Sequence, residues 1–174
     1  RKFLLMKLAS FDIFDTTLIR RCGKPENIFY LMAERLYPND KVAQDGFVEW
    51  RKRCPGELQR QIKGREVMLE EIYERLQITD YRLQIITPSA LQARPPKTGG
   101  QYLSSELVEM EKGIESENLM VNPAVKAVID RYRNEGWQIA FASDMYLDSE
   151  FLKEVLRREG CFRDGDLIYV SCEC

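Results

Sequence analysis

An unbroken run of mostly apolar positions, Leu8, Ala9, Phe11, Ile13 and Phe14, reads as a buried strand over residues 8–14. From Pro25 the rhythm lengthens. Proline suits the first turn of a helix, and Ile28, Leu31, Met32 and Leu36 recur at helical spacing behind it. Residues 47–62 carry a helical pattern that Pro55-Gly56 should break or kink. "REVMLEEIYERL" sets Leu69, Ile72, Tyr73 and Leu76 on one stripe, a helix. Residues 87–100 hold Pro88, Pro95, Pro96, Gly99 and Gly100 and read as a loop. A further helix is expected over 104–117, with Leu107, Met110 and Ile114 on one face.

The pattern is sharpest toward the end of the chain. "NPAVKAVIDRYRNEG" offers Asn122 as N-cap, Pro123 in the first turn and Gly136 just past the last turn, with Val125, Val128, Ile129 and Tyr132 as its apolar stripe. "WQIAFAS" is a buried strand ending at Ser143. "LDSEFLKEVLRREG" is a second helix, capped by Asp148 or Ser149 and stopped by Gly160, and "LIYVS" (167–171) is a third strand. Strand, helix, strand, helix, strand implies right-handed parallel crossovers. The expected fold is therefore α/β. Residues 1–21 and 119–174 form a Rossmann-like core, and residues 22–118 form a helical insert of about 100 residues, too long for an ordinary connection. Such an insert would sit above the carboxyl edge of the sheet, where open α/β folds bind ligands.

Composition narrows the chemistry. With 26 Lys and Arg against 28 Asp and Glu, net charge −2, there is no basic footprint for nucleic acid. The longest early apolar run, Phe3 to Met6, is far too short to span a bilayer or serve as a signal peptide, so a cytoplasmic protein without membrane attachment is expected. Five cysteines without paired spacing read as reduced thiols. Cys172 and Cys174 form a C-x-C, read as plain thiols rather than a zinc site. Histidine is absent. That excludes a Ser-His-Asp triad, a Cys-His pair and an H-E-x-x-H site, and leaves acid–base work to carboxylates, Lys, Tyr or Cys.

Against this background, two aspartates at the end of a buried strand stand out. Asp12 falls where the first strand meets the carboxyl edge, and Ser143 ends the second; both could converge on one crevice. "DIFDT" (12–16) after an apolar strand, "IAFAS" (139–143) and the local wording "FDIFDT" with "SDMYL" resemble the haloacid dehalogenase (HAD) superfamily. More narrowly, they look like predicted HAD hydrolases found in bacterial glycosyltransferase and surface-polysaccharide proteins.

The resemblance implies a Rossmann-like core with a helical cap placed after the first strand. It implies Mg²⁺-dependent hydrolysis of a small phosphate ester, a sugar phosphate among the candidates. Asp12 would be the nucleophile, forming an aspartyl-phosphate. Its second oxygen and the backbone carbonyl of Phe14 would hold the metal. Ser143 would hydrogen-bond a phosphoryl oxygen, with Thr16 on the substrate side; apart from the resemblance, Arg20 lies where the chain enters the cap and is a candidate ligand for a substrate anion. Phosphoryl transfer needs positioning and charge neutralisation above all, which suits a carboxylate, a cation and fixed donors.

Three features depart from the phosphatase pattern. Phe14 stands where a second acid would be expected, with Asp15 one residue further on. Thr17 replaces an apolar residue, a minor change. The lysine and the acidic pair of the later motifs have no counterpart after Val170, so the chain is expected to be inactive alone, either lacking a C-terminal segment or pairing with a second copy. Two alternatives stay open: metal-independent, dehalogenase-like use of Asp12 on carbon, and a non-catalytic module that binds a sugar phosphate or a partner.

Plainer roles are expected elsewhere. Arg20 and Arg21 could be solvated charges, and Arg51 to Arg53 a solvated helix face. Glu106, Glu109, Glu111, Glu115 and Glu117 read as the outer face of a cap helix, and Trp50 and Tyr73 as cap core.

Overall fold

Helix capping and strand pairing account for most of the architecture of the computed structural model, which describes residues 7–79 and 102–173. The elements run β1 (Leu8–Asp12), β2 (Leu18–Arg20), α1 (Asn27–Leu36), α2 (Lys41–Gln59), α3 (Leu69–Thr79), α4 (Ser104–Asn118), β3 (Leu119–Val121), α5 (Pro123–Asn134), β4 (Gln138–Ser143), α6 (Ser149–Arg158) and β5 (Leu167–Val170), followed by a 3₁₀ turn, Ser171–Glu173. They divide into two units, one built from the residues up to Arg21 and from Asn118 onward, the other from Cys22 to Glu117.

In the first unit β1, β4 and β5 form a parallel sheet in the order β1-β4-β5. Asp148 and Asn122 cap α6 and α5 as expected, accepting from the Phe151 N–H at 2.9 Å and the Ala124 N–H at 3.1 Å. Gly136 and Gly160 lie past the two helix ends at φ +78° and +72°, the left-handed conformation that glycine adopts without penalty. Ile139, Ala140 and Phe141 are buried in succession on β4, so the sheet is covered on both faces there. Phe11 meets Tyr132 edge-on at 6.2 Å, and Phe141, fully buried, lies 6.0 Å from Phe162. Val128, expected on the apolar stripe of α5, is exposed instead, and Ile129 is the residue that helix buries.

Two short strands were invisible in the pattern. β2 and β3 pair antiparallel, three residues each, with Ile19 opposite Met120. Nothing in three residues sets a strand apart; this pair exists because distant segments meet. The end of α6 completes the outer edge of β3. Arg158 donates to the Leu119 carbonyl at 2.9 Å, and Glu159 accepts the Val121 N–H at 3.0 Å.

The second unit is helical, and the structure corrects four expectations there. Helix α1 starts two residues after Pro25. Pro55 does not end α2, which runs unbroken from Lys41 to Gln59. Proline removes one hydrogen bond, to the Arg51 carbonyl, but Phe47, Val48, Trp50 and Cys54 bury the same helix against its neighbours. Arg51 is not solvated, and Glu111 and Glu115 are not on an outer face: all three are fully buried. Arg51 meets Glu111 in a two-pronged contact, at 3.0 Å through Nε and 2.7 Å through Nη2. That pairing is why Arg51 and Glu111 occupy this core. Trp50 and Tyr73 are buried as read, and Leu69 and Ile72 are fully buried on α3. The Leu76 side chain and the loop read over 87–100 lie outside the described residues.

Cys22, Cys54, Cys161 and Cys172 form no disulfide among the described residues, and Cys174 lies outside them. Burial pushes the Cys54 thiol up to about 11. At pH 8 a thiol reagent should therefore modify half-buried Cys22 first. Cys54, Cys161 and Cys172 should react only once the chain is unfolded, as site-resolved mass spectrometry would show. Rapid labelling of Cys54 in the folded protein would contradict the packing of α2 against α3.

Candidate active site

The site is made by two neighbouring parallel strands that end together. Asp12 is in register with Ala142, so Ser143 lies one residue further along the adjoining strand. Strand spacing and rise put the two Cα atoms about 6 Å apart. The sheet thus brings Asp12 and Ser143 to one carboxyl edge. They differ in setting: Asp12 is exposed, whereas Ser143 is buried. Ser143 Oγ accepts the Met145 N–H at 3.2 Å, opening the turn that leads to α6.

Beyond Asp12 the chain leaves the sheet. The expected strand to Phe14 is two residues shorter, because residues 13–17 coil into a turn closed by the Thr17 N–H on the Asp12 carbonyl (3.3 Å) and the Leu18 N–H on the Ile13 carbonyl (2.7 Å). Thr16 Oγ1 donates to Asp12 Oδ2 at 2.7 Å, holding one carboxylate oxygen. Thr17 proves more than a minor change. Fully buried, it donates its hydroxyl to the Asp12 carbonyl at 2.6 Å and so fixes the residue's backbone. Asp15 sits at the apex in the left-handed conformation, φ +54°, with its side chain well exposed.

Arg20 is not on the solvent side of this turn. Its side chain is 1% exposed, its guanidinium lies over the Phe14 ring at 4.7 Å, and Nη1 is 3.9 Å from Asp15 Oδ1. Phe14 is buried beneath it.

The donors expected for a divalent cation were the Asp12 carboxylate and the Phe14 carbonyl. Among the described residues no group of three or more Cys, Asp or Glu side chains could hold a metal. Two such oxygens would supply only part of a six-oxygen Mg²⁺ shell, leaving the remainder to water and substrate oxygens, which is a common way for this ion to bind.

No family model matches the chain, and no curated protein does. Among solved structures it resembles YfnB from Bacillus subtilis, assigned as a HAD-hydrolase and crystallised bound to magnesium. The TM-score is 0.50 and the identity 16%, over 95% of this chain and 65% of that one. The fold is HAD-like. At this identity the likeness speaks to the fold alone: a Rossmann-like parallel sheet with helices, as the pattern of elements implied. In that HAD-like core Asp12 and Ser143 occupy adjacent strand ends. Among the described residues no helix is long and apolar enough to cross a membrane.

Proposed function

We propose that the protein carrying this chain is a HAD-like hydrolase that cleaves a small phosphate ester through an aspartyl-phosphate on Asp12. The observation that supports this reading is an exposed carboxylate at the end of a sheet strand, with one oxygen held by Thr16 and its carbonyl held by Thr17. A carboxylate held at one oxygen, on a backbone that is itself held, is aimed, which is the main thing phosphoryl transfer asks of a nucleophile. The free oxygen of Asp12 attacks phosphorus and the ester P–O bond breaks. Water then cleaves the aspartyl-phosphate and regenerates the carboxylate. Ser143, at the neighbouring strand end, supplies a hydroxyl for a phosphoryl oxygen. Mg²⁺, held by Asp12 and the Phe14 carbonyl, would screen the repulsion between carboxylate and phosphate. A sugar phosphate is the substrate class that the resemblance to polysaccharide-associated hydrolases suggests.

The test is binding of beryllofluoride, which mimics the phosphoryl group on an aspartate. With Mg²⁺ it should bind the full-length protein, and Asp12→Ala should remove the binding, as read by ¹⁹F NMR. Binding that persists unchanged in the variant would overturn the assignment. The two-oxygen donor set favours one second reading, metal-independent attack of Asp12 on carbon. Turnover of a 2-haloacid that survives EDTA, without beryllofluoride binding, would select it.

A further inference from the structure

We propose that Arg20 is a positioning residue for Asp12, and that it acts through Phe14 and Asp15 rather than by touching substrate. The inference rests on the aspartyl-phosphate reading. Three observations carry it. The Arg20 side chain is 1% exposed, so its guanidinium is committed to the protein. One face of that group covers the Phe14 ring at 4.7 Å, a cation–π contact made in a dry setting where it is strong. One edge of it faces Asp15 at 3.9 Å.

Phe14 and Asp15 are the middle of the turn that begins at Asp12 and returns Thr16 to the Asp12 carboxylate. Asp15 holds a left-handed backbone there, which aspartate tolerates better than most residues but which still needs its surroundings to keep it. The hydroxyl of Thr17 secures one side of the turn. Arg20, anchored in β2 opposite Leu119, secures the other. Loss of the guanidinium would free the Phe14 ring and the Asp15 apex, and the carboxylate and carbonyl borne by the same turn would lose their aim. A substrate-anion ligand needs an accessible guanidinium; this one has its face occupied.

The experiment compares Arg20→Met, Arg20→Lys, Phe14→Leu and the double variant Phe14→Leu/Arg20→Met in the full-length protein, with p-nitrophenyl phosphate and Mg²⁺. Arg20→Met should lower kcat by roughly 10²-fold, the scale of a small misplacement of a reacting group. KM and the inhibition constant of inorganic phosphate should stay unchanged. The double variant should be no worse than Arg20→Met, because both changes break one contact. Arg20→Lys should recover part of the rate, since an ammonium can sit over the ring but cannot stack on it. Should Arg20→Met fail to fold, Arg20→Lys and Phe14→Leu carry the same comparison.

A rise in KM and in the phosphate inhibition constant with kcat retained would overturn the proposal and make Arg20 a substrate ligand. A lower melting temperature with kcat of the folded protein unchanged would overturn it in favour of a purely structural role. Turnover retained in Asp12→Asn would instead sink the nucleophile assignment. A wild-type protein that neither turns over the ester nor binds beryllofluoride would remove both.

Discussion

Asp12→Asn should abolish phosphatase turnover in the full-length protein, by on the order of 10⁴- to 10⁶-fold, the scale reached when a covalent nucleophile is removed from an enzyme. The amide keeps the size of the carboxylate and can still accept from Thr16, whose hydroxyl lies 2.7 Å from Oδ2. It has no anionic oxygen to attack phosphorus. The change therefore separates chemistry from folding: the melting temperature should hardly move, because the residue is exposed at the strand end. Wild-type rates should also depend steeply on the leaving group. Phe14 stands two residues beyond the proposed nucleophile, buried under Arg20, and cannot donate a proton. General-acid help of about 10²- to 10⁴-fold would then be missing for alkyl phosphates and scarcely felt by activated aryl phosphates. Equal rates across such a series would show that another group protonates the departing oxygen, and Asp15→Asn would identify it if the rate then collapsed.

What the sequence disclosed follows from how local each signal is. Asn122 and Asp148 cap helices by bonds that reach two or three residues, so α5 and α6 could be read from their own residues. The buried strand ending at Ser143 was equally legible, because a strand covered on its faces is a continuous apolar run. β2 and β3 are three residues each and pair across about a hundred positions; no local pattern marks them. At the site, Asp12 and Ser143 were singled out by their place at strand ends, and Thr16 only through the motif resemblance. The role of Thr17 and the burial of Arg20 depended on a turn whose shape no short-range rule supplies. The helical unit shows the same divide. Glu111 and Glu115 lie where an acidic helix surface would normally be solvated. The arrival of Arg51, sixty residues earlier in the chain, and of the Tyr73 hydroxyl explains why Glu111 is buried.

That buried pair should dominate the stability of the helical unit. Arg51 and Glu111 have no exposed side-chain surface, and their two-pronged contact is joined by the Tyr73 hydroxyl, which donates to the Glu111 carboxylate and lies 3.1 Å from Met32 Sδ. The guanidinium also covers Phe29 at 4.5 Å. Removing either partner leaves the other as a buried charge without its counterion. Arg51→Met and Glu111→Leu should therefore each cost about 3–5 kcal/mol, read from urea melts at pH 7. The double variant should lose much less than the sum. Both charges then leave together, and an apolar pair of similar volume fills the space without a desolvation penalty. Strictly additive losses would mean that the two side chains do not depend on each other, contrary to the contact. The same cluster predicts an alkaline limit. Burial, reinforced by the Glu111 carboxylate, raises Tyr73 well above its usual value. The folded state then holds this proton more tightly than the unfolded chain does. Its contribution is intact below about pH 10, the ordinary tyrosine value, and is lost as the pH climbs above it. Tyr73→Phe should remove that part of the alkaline destabilisation while forfeiting the hydrogen bond to Glu111 at neutral pH. A Tyr73→Phe protein that lost stability above pH 10 as steeply as the wild type would assign the alkaline limit to other groups.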